Sequence, residues 1–278
     1  MRDHCHFTGE FRGAAHQYCN LMLRKRLKIP PFFHNFTGYD SHLLFKSLSC
    51  VKKTVEVLAN NLEKFTSLTI GNIEIKDSLN FMGCSLDKLV SNLKEKGKKE
   101  NMTLKETFPN TYSYFKDCWG HVEEDELPML SRKGVYPYEY INSFDKFEEK
   151  QLPEIKHFYS SLTGENISDD DYKFAHELWD KFDFKNIGDL HDLYMATDVV
   201  LLADVFETFR KSIMDTYKLD PAHFLTALGL SWVACLKMTK VQLELMTDID
   251  MAMFIDMSML GGFSAVLNPY AKANHEKM

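Results

Sequence analysis

Residues 28–40 read KIPPFFHNFTGYD, and this stretch decides the fold class. Its two prolines precede the apolar pair Phe32-Phe33, which predicts a short buried strand that begins behind a proline boundary. A glycine turn and Asp40 follow this strand, and residues 41–53 then have the apolar spacing of a helix. Because a carboxylate at a strand end can hold Mg²⁺ through its hard oxygens, Asp40 is the first candidate metal ligand.

Strand patterns and helix patterns alternate along the rest of the chain. Residues 68–75 predict two strands around a Gly-Asn turn, and Ser85 and Ser168 are placed to cap helices. Residues 189–214 predict the strongest helix, whereas residues 94–135 are charged and predict irregular surface structure. This mixture favours an α/β class, with a mixed sheet flanked by helices.

A second carboxylate motif lies on the strongest helix, where residues 192–198 read DLYMATD. Tyr194 and Asp198 are four positions apart, so their side chains share one helix face. A phenol beside a metal-bound carboxylate can orient an attacking water, and carboxylates that hold two metals serve in-line hydrolysis of a phosphodiester. Taken alone, a Tyr-x₃-Asp pair is more often an accident of an amphipathic helix.

The N-terminal segment is rich in possible zinc ligands. Residues 3–20 read DHCHFTGEFRGAAHQYCN, in which His16 and Cys19 have the spacing of half a zinc site. No Cys-x₂-Cys pair occurs in the chain, and completion by Cys5 or His6 would strain a closed site. The segment resembles treble-clef, HNH-type endonucleases, and this resemblance implies a catalytic divalent metal at Asp3, His4 and Asn20. The alternative is a purely structural zinc knuckle.

Five motifs in order over residues 35–263 resemble the protein-primed family B DNA polymerases, in particular the Polinton (Maverick) transposon and related viral branch. Two of them match the second and third exonuclease motifs of that family. The others match its single-strand-contact, lysine and linker motifs, and the N-terminal segment resembles an insertion of the transposon branch. The matching positions are Asn35, Tyr39 and Asp40; Ser78 and Leu79; Lys133 with Tyr136 and Tyr138; Tyr194 and Asp198; and Gly261 with Gly262.

The resemblance implies a ribonuclease H-like fold with a 3′–5′ exonuclease site. Asp40 and Asp198 would hold Mg²⁺ or Mn²⁺, Tyr194 would position water, and Lys133 would neutralise charge at the scissile phosphate. The implied partners are DNA, as a single-stranded primer end and a template, and a terminal priming protein. The DNA contacts would come from Asn35, Ser78, Leu79, Tyr138, Gly261 and Gly262.

Two parts of the family pattern are absent from residues 1–278. The first exonuclease motif, Asp-x-Glu, and the missing cysteine pair are expected upstream, and no polymerase palm motif is present. We therefore expect a polymerase fragment that acts in DNA replication and does not synthesise DNA alone. Its parts would be a partial zinc segment over 1–27, an exonuclease domain over 28–215, and a helical linker that starts the polymerase domain over 216–278. An HNH-type endonuclease and a catalytically dead DNA-binding remnant are the alternatives.

Composition excludes several other classes. The 278 residues are 45% hydrophobic and carry a net charge of −7, which excludes wholesale disorder and a uniformly basic nucleic-acid coat. No run approaches the ~20 apolar residues of a membrane span, and no apolar run follows the charged N-terminus. We expect a soluble intracellular protein, nuclear if it derives from a eukaryotic transposon. Its six cysteines are expected to be mostly reduced, buried thiols.

Overall fold

The structure is a computed structural model that describes residues 2–4, 11–14, 16–18, 28–61, 64–119, 126–161, 164–244 and 246–259. The chain divides into two compact units, Met1–Cys235 and Leu236–Met278. Within the described residues of the first unit lie both strand systems and most of the helices. No helix in the described ranges is both long and apolar enough to cross a membrane.

A four-stranded mixed sheet organises the first unit. Its strands lie in the order β3-β6-β5-β4; β3 runs parallel to β6, and the other pairs are antiparallel. Inner strand β5 is buried over its middle four residues, whereas most of edge strand β4 is exposed. The predicted hairpin around Gly71 is confirmed as the β5–β6 turn. The strands are β3 (Phe32–Phe33), β4 (Val55–Ala59), β5 (Phe65–Ile70) and β6 (Ile73–Asp77), after a separate antiparallel pair, β1 (Arg2–His4) and β2 (Phe11–Ala14).

Helices account for most of the remaining described structure. Ser85 and Ser168 cap α2 and α6 by accepting backbone hydrogen bonds, as the sequence predicts. The mixed sheet with its helices is compatible with the predicted ribonuclease H-like class. The helices are α1 (Ser41–Ser47), α2 (Leu86–Lys99), α3 (Leu104–Thr107), α4 (Pro109–Cys118), α5 (Leu127–Leu130), α6 (Asp169–Lys181), α7 (Ile187–Tyr217), α8 (Ala227–Thr239) and α9 (Ile249–Ser258).

Helix α7 joins three separate parts of the core. Its 31 residues span about 46 Å, at 1.5 Å per residue. Leu193 packs with α4 and α6, Leu201 packs with α2, and Phe206 packs with Phe81. The ring of Phe206 also lies 4.1 Å from the ring of Phe32, so α7 contacts the strand that leads to Asp40.

The prediction of irregular surface structure over residues 94–135 is wrong. Helix α2 continues to Lys99, and three more helices follow, with Phe108 and Phe115 fully buried. Asp204 of α7 is also buried and accepts four hydrogen bonds from Asn110 and Thr111 at the start of α4. A buried carboxylate needs such partners, and here they attach α4 to α7.

The prediction of buried cysteines is also wrong for the thiols that the structure describes. These thiols are exposed rather than buried. They are Cys50, Cys84, Cys118 and Cys235.

Candidate active site

The first candidate cluster lies where β3 and β6 end. These strands are parallel, so their carboxyl ends meet at one edge of the sheet. Asp77, the last residue of β6, is buried. Its carboxylate accepts hydrogen bonds, each of 2.9 Å, from the backbone N–H groups of Asn35, Thr37 and Leu79. We call the group of Asn35, Asp40, Asp77 and Ser78 the strand-end cluster.

Asp77 was missed as a site residue by the sequence analysis. Its one local signal is an Asp directly before Ser78 and Leu79, the position from which a carboxylate can cap a turn. Nothing in the sequence indicates that the same carboxylate also binds the loop at residues 35–37. Through Asp77 the structure brings the Asn35 and Ser78 motifs together.

The hydroxyl of Ser78 is fully buried and donates a hydrogen bond to the carbonyl of Phe33 at 2.8 Å. His34 lies between this hydroxyl and the carbonyl of Cys84, at 3.0 Å from each. In this arrangement the Ser78 hydroxyl joins the two strand ends. Leu79 beside it is half-buried.

Asp40 lies at the end of a short π-helical turn, Phe36–Asp40, and is half-buried. Burial raises the pKa of its carboxyl, and the nearby charge of Asp77 raises it further. A Cβ at Gly38 would lie 2.6 Å from the Asn35 side-chain oxygen, so a larger residue there would displace the Asn35 side chain. The buried hydroxyls of Thr37 and Ser41, on either side, have no hydrogen-bond partner among the described residues.

The second candidate cluster joins a loop to α7, and we call it the helix cluster. It contains Lys133, Tyr136 and Tyr138 of the loop and Tyr194 and Asp198 of the helix. The hydroxyls of Tyr138 and Tyr194 are hydrogen-bonded, and the Tyr136 and Tyr194 rings stack at 4.8 Å. A Cβ at Gly134 would lie 2.8 Å from the Tyr194 ring, so the glycine lets the loop approach the helix closely.

Asp198 is the carboxylate of the helix cluster, and one of its oxygens is unsatisfied. Oδ1 is buried and has no hydrogen-bond partner in the described part of the chain. Burial raises the pKa of this carboxyl, whereas a hydrogen bond from Tyr194 and the charge of Lys133 oppose the shift. A buried carboxylate oxygen without a donor fits a position that a cation occupies.

The chemistry of the groups in the helix cluster determines which one donates and which one accepts in each hydrogen bond. An ionised carboxylate can only accept, so the Tyr194 hydroxyl donates to Asp198 and accepts from Tyr138. Burial and the charge of Asp198 both raise the pKa of Tyr194, and burial raises the pKa of Tyr136 to about 12. Both phenols therefore keep their protons at neutral pH and can act as donors.

The two clusters are each assembled, but they do not by themselves form a complete metal centre. Among the described residues, no three His, Cys, Asp or Glu side chains come together as a metal site. Both clusters are attached to α7, the first through the Phe32–Phe206 contact and the second through Tyr194 and Asp198. A shared metal between Asp40 and Asp198 stays a prediction.

The predicted zinc and linker residues are only partly described. The backbones of Asp3 and His4 lie in β1, which pairs with β2, and His16 is exposed. The side chains of Asp3 and His4 are not described, and four further predicted residues lie outside the described ranges. These are Cys19 and Asn20 of the zinc segment, with Gly261 and Gly262 of the linker motif.

The half-site hypothesis predicts how zinc binds. Because zinc needs four ligands, His16 and Cys19 should hold it tightly only when a cysteine pair precedes this chain in the same polypeptide. Bound zinc per mole of protein, measured after dialysis against a chelator, should be near zero for residues 1–278 and near one for a polypeptide extended upstream. Stoichiometric zinc in residues 1–278 would instead mean that Cys5 or His6 completes the site.

Comparison with known proteins places these clusters in a family. A family model described as DNA polymerase type B, organellar and viral, matches residues 20–278. The match includes both clusters and nearly the whole chain. No curated protein and no solved structure matches the chain. Such polymerases are nucleotidyltransferases that act on DNA. The chain therefore belongs to the organellar and viral family of type B DNA polymerases.

Proposed function

We propose that this chain carries the 3′–5′ exonuclease site of a protein-primed polymerase of the Polinton or related viral type, and removes nucleotides from single-stranded primer ends during DNA replication. The observation that carries the proposal is the helix cluster. It places a lysine charge and a phenol hydroxyl beside Asp198, whose Oδ1 is buried without a donor. A positive charge, a proton donor and a metal-binding oxygen are what phosphodiester hydrolysis requires.

The residues present fit a divalent metal. Carboxylate oxygens are the ligands that Mg²⁺ and Mn²⁺ prefer, and both Asp40 and Asp198 are partly desolvated and have raised pKa values. Such a metal supplies Lewis-acid stabilisation of the phosphoryl oxygens and a nucleophilic water. Two carboxylates are too few for a closed two-metal site, which is why we propose that further acidic residues come from upstream.

The sheet order offers a place for such an upstream segment. Within the described strands, β3 is an outer strand, and its hydrogen bonds go to β6 on one side. A strand that added to the other side of β3 would end near Asn35 and Asp40. We propose that the strand with the Asp-x-Glu motif, which the resemblance puts upstream of the zinc segment, adds at this position.

The residues of the helix cluster have distinct roles in the proposed reaction. Lys133 would compensate the charge that builds up on the phosphate. The Tyr194 hydroxyl, whose own proton is donated to Asp198, would orient the attacking water by accepting a hydrogen bond from it. A cavity of about 460 Å³ opens beside them, with Lys133, Tyr138 and Tyr159 in its walls. Tyr138 and Tyr159 are exposed, at 63% and 44%, and can stack on unpaired bases of the primer end.

The experiment that tests this function is digestion of single-stranded DNA by the polymerase that contains this chain, with and without the substitution Asp198→Ala. An HNH-type endonuclease at Asp3, His4 and Asn20 is the second candidate, since β1 and β2 form the antiparallel pair that such a segment needs. Internal nicking of circular DNA that survives Asp198→Ala would favour it.

A further inference from the structure

Tyr136 makes two contacts with one face of α7. Its ring stacks on Tyr194 at 4.8 Å with an interplanar angle of 23°, and its hydroxyl lies 2.6 Å from Nδ1 of His191. His191 and Tyr194 are three positions apart, so they are neighbours on the helix surface. We call this arrangement the Tyr136 bridge.

The imidazole of His191 also contacts an aromatic ring from a third part of the chain. The ring of Phe147 packs at 4.8 Å from the imidazole, and Phe147 lies in a short 3₁₀ turn, Phe144–Glu148, that contacts α7. The imidazole therefore has an apolar neighbour on one side and the Tyr136 ring at 5.5 Å on another. Burial raises the pKa of Tyr136 to about 12, so its hydroxyl keeps the proton with which it can donate a hydrogen bond to an Nδ1 that carries none.

The bridge lies in the middle of the segment that carries the proposed catalytic groups. Lys133 precedes Tyr136 by three residues and Tyr138 follows it by two. If Tyr136 shifts along α7, both neighbours must shift, and Tyr194 loses the ring that covers its face. A displacement of about 1 Å at a catalytic group can cost about 100-fold in rate.

We propose that Tyr136 and His191 are positioning residues for phosphodiester hydrolysis: the Tyr136–His191 hydrogen bond sets where the Lys133–Tyr138 segment lies on α7, and so orients Lys133 and Tyr194 toward Asp198. This inference rests on the proposed exonuclease function. His191 lies outside the set of residues predicted from the motifs, and Tyr136 belongs to that set only as the hydrophobic position of the lysine motif.

The hydrogen bond itself can be tested without activity. In residues 1–278 with ¹⁵N-labelled histidine, the Nδ1 resonance of His191 should move on Tyr136→Phe, which removes the hydroxyl and keeps the ring. The matched control is Tyr140→Phe, because the Tyr140 hydroxyl donates to Glu149 outside the bridge at 2.6 Å. That resonance should stay in place in the control. An unchanged resonance in Tyr136→Phe would overturn the inference.

The positioning role is tested in the polymerase that contains this chain, by single-turnover digestion of a single-stranded oligonucleotide. Tyr136→Phe and His191→Leu should each lower the maximal rate about 10- to 100-fold, with oligonucleotide binding changed less than about twofold. His191→Asn, whose amide oxygen can replace Nδ1 as acceptor, should recover most of the rate. The double variant should lose no more than either single one, because the two residues act as a unit.

The outcomes separate this inference from the function on which it rests. If Asp198→Ala abolishes digestion while Tyr136→Phe and His191→Leu digest normally, the inference fails alone. Losses that multiply in the double variant, or a His191→Asn variant no better than His191→Leu, would also overturn it. If digestion survives Asp198→Ala, the proposed function fails and the positioning role fails with it. Thermal unfolding of each variant identifies any rate loss that comes from misfolding.

Discussion

Replacing Asp198 by alanine, in the polymerase that contains this chain, is expected to lower 3′–5′ digestion of single-stranded DNA by about 10³-fold or more. The reason is that Asp198 is the proposed metal ligand of the helix cluster. Its buried Oδ1 has no hydrogen-bond partner among the described residues, and Tyr194 and Lys133 both act on this carboxylate. Release of labelled mononucleotides from a 3′-labelled oligonucleotide, in Mg²⁺ or Mn²⁺, measures the effect. Asp192→Ala, an exposed aspartate six positions earlier on α7, is the matched control and should digest normally.

The same carboxylate also predicts how stability depends on pH without metal. Burial raises the pKa of Asp198 in the folded chain above its usual 3.8, so the carboxyl binds its proton more tightly when folded. The free energy of unfolding should then fall as the pH rises above that value. Asp198→Asn avoids this cost and should be about 1 kcal/mol more stable than the wild type at neutral pH, a gap that shrinks toward pH 4. Urea unfolding in a chelator, at several pH values, measures the gap.

Digestion at the wild-type rate by Asp198→Ala would contradict the proposed site. A less stable Asp198→Asn variant at neutral pH would contradict the desolvated position of the carboxylate. The two results are independent, because the first needs metal and substrate and the second needs neither.

Replacing Phe115 by alanine is expected to cost about 3–5 kcal/mol of the free energy of unfolding. Phe115 is fully buried in the cluster that joins α4 to α6 and α7, so its loss leaves a cavity that the helices cannot fill. Since whole domains have about 5–15 kcal/mol of stability, this one change brings the chain close to unfolding. Chemical unfolding, followed by circular dichroism, measures the difference.

Phe144→Ala is the matched control, since the same atoms are removed from a ring that is 88% exposed. Its cost should stay within about 0.5 kcal/mol. Equal effects of the two substitutions would mean that residues 109–118 form surface structure, as the sequence alone predicts, and that the buried position of α4 is wrong.

Local sequence patterns were enough to predict several elements of the fold. The strand before His34, the hairpin around Gly71, the caps at Ser85 and Ser168 and the long helix through Asp198 all follow from interactions within a few residues. Turn residues, cap residues and the 3.6-residue period act at short range, so a single sequence contains their signal.

The prediction for residues 94–135 was wrong because the burial of this segment depends on helices that lie far from it in the sequence. Its lysines and glutamates suggest surface, and its apolar residues are too widely spaced to suggest a core. Phe108 and Phe115 are buried only because α2, α6 and α7 supply the other walls. Long side chains such as Lys94 also lie partly in the interior, where burial lowers the pKa of the amine.

For the candidate site, the sequence by itself determined that Tyr194 and Asp198 share one helix face and that Asp40 follows a strand end, because both relations depend on backbone geometry over a few residues. Only the tertiary structure decided that Lys133, 65 positions before Asp198, lies within electrostatic reach of it. The same holds for Asp77 as the carboxylate that ties two loops together and for the contact of Tyr136 with His191. These contacts depend on how helices and loops pack around α7, and packing joins residues that no short-range pattern connects.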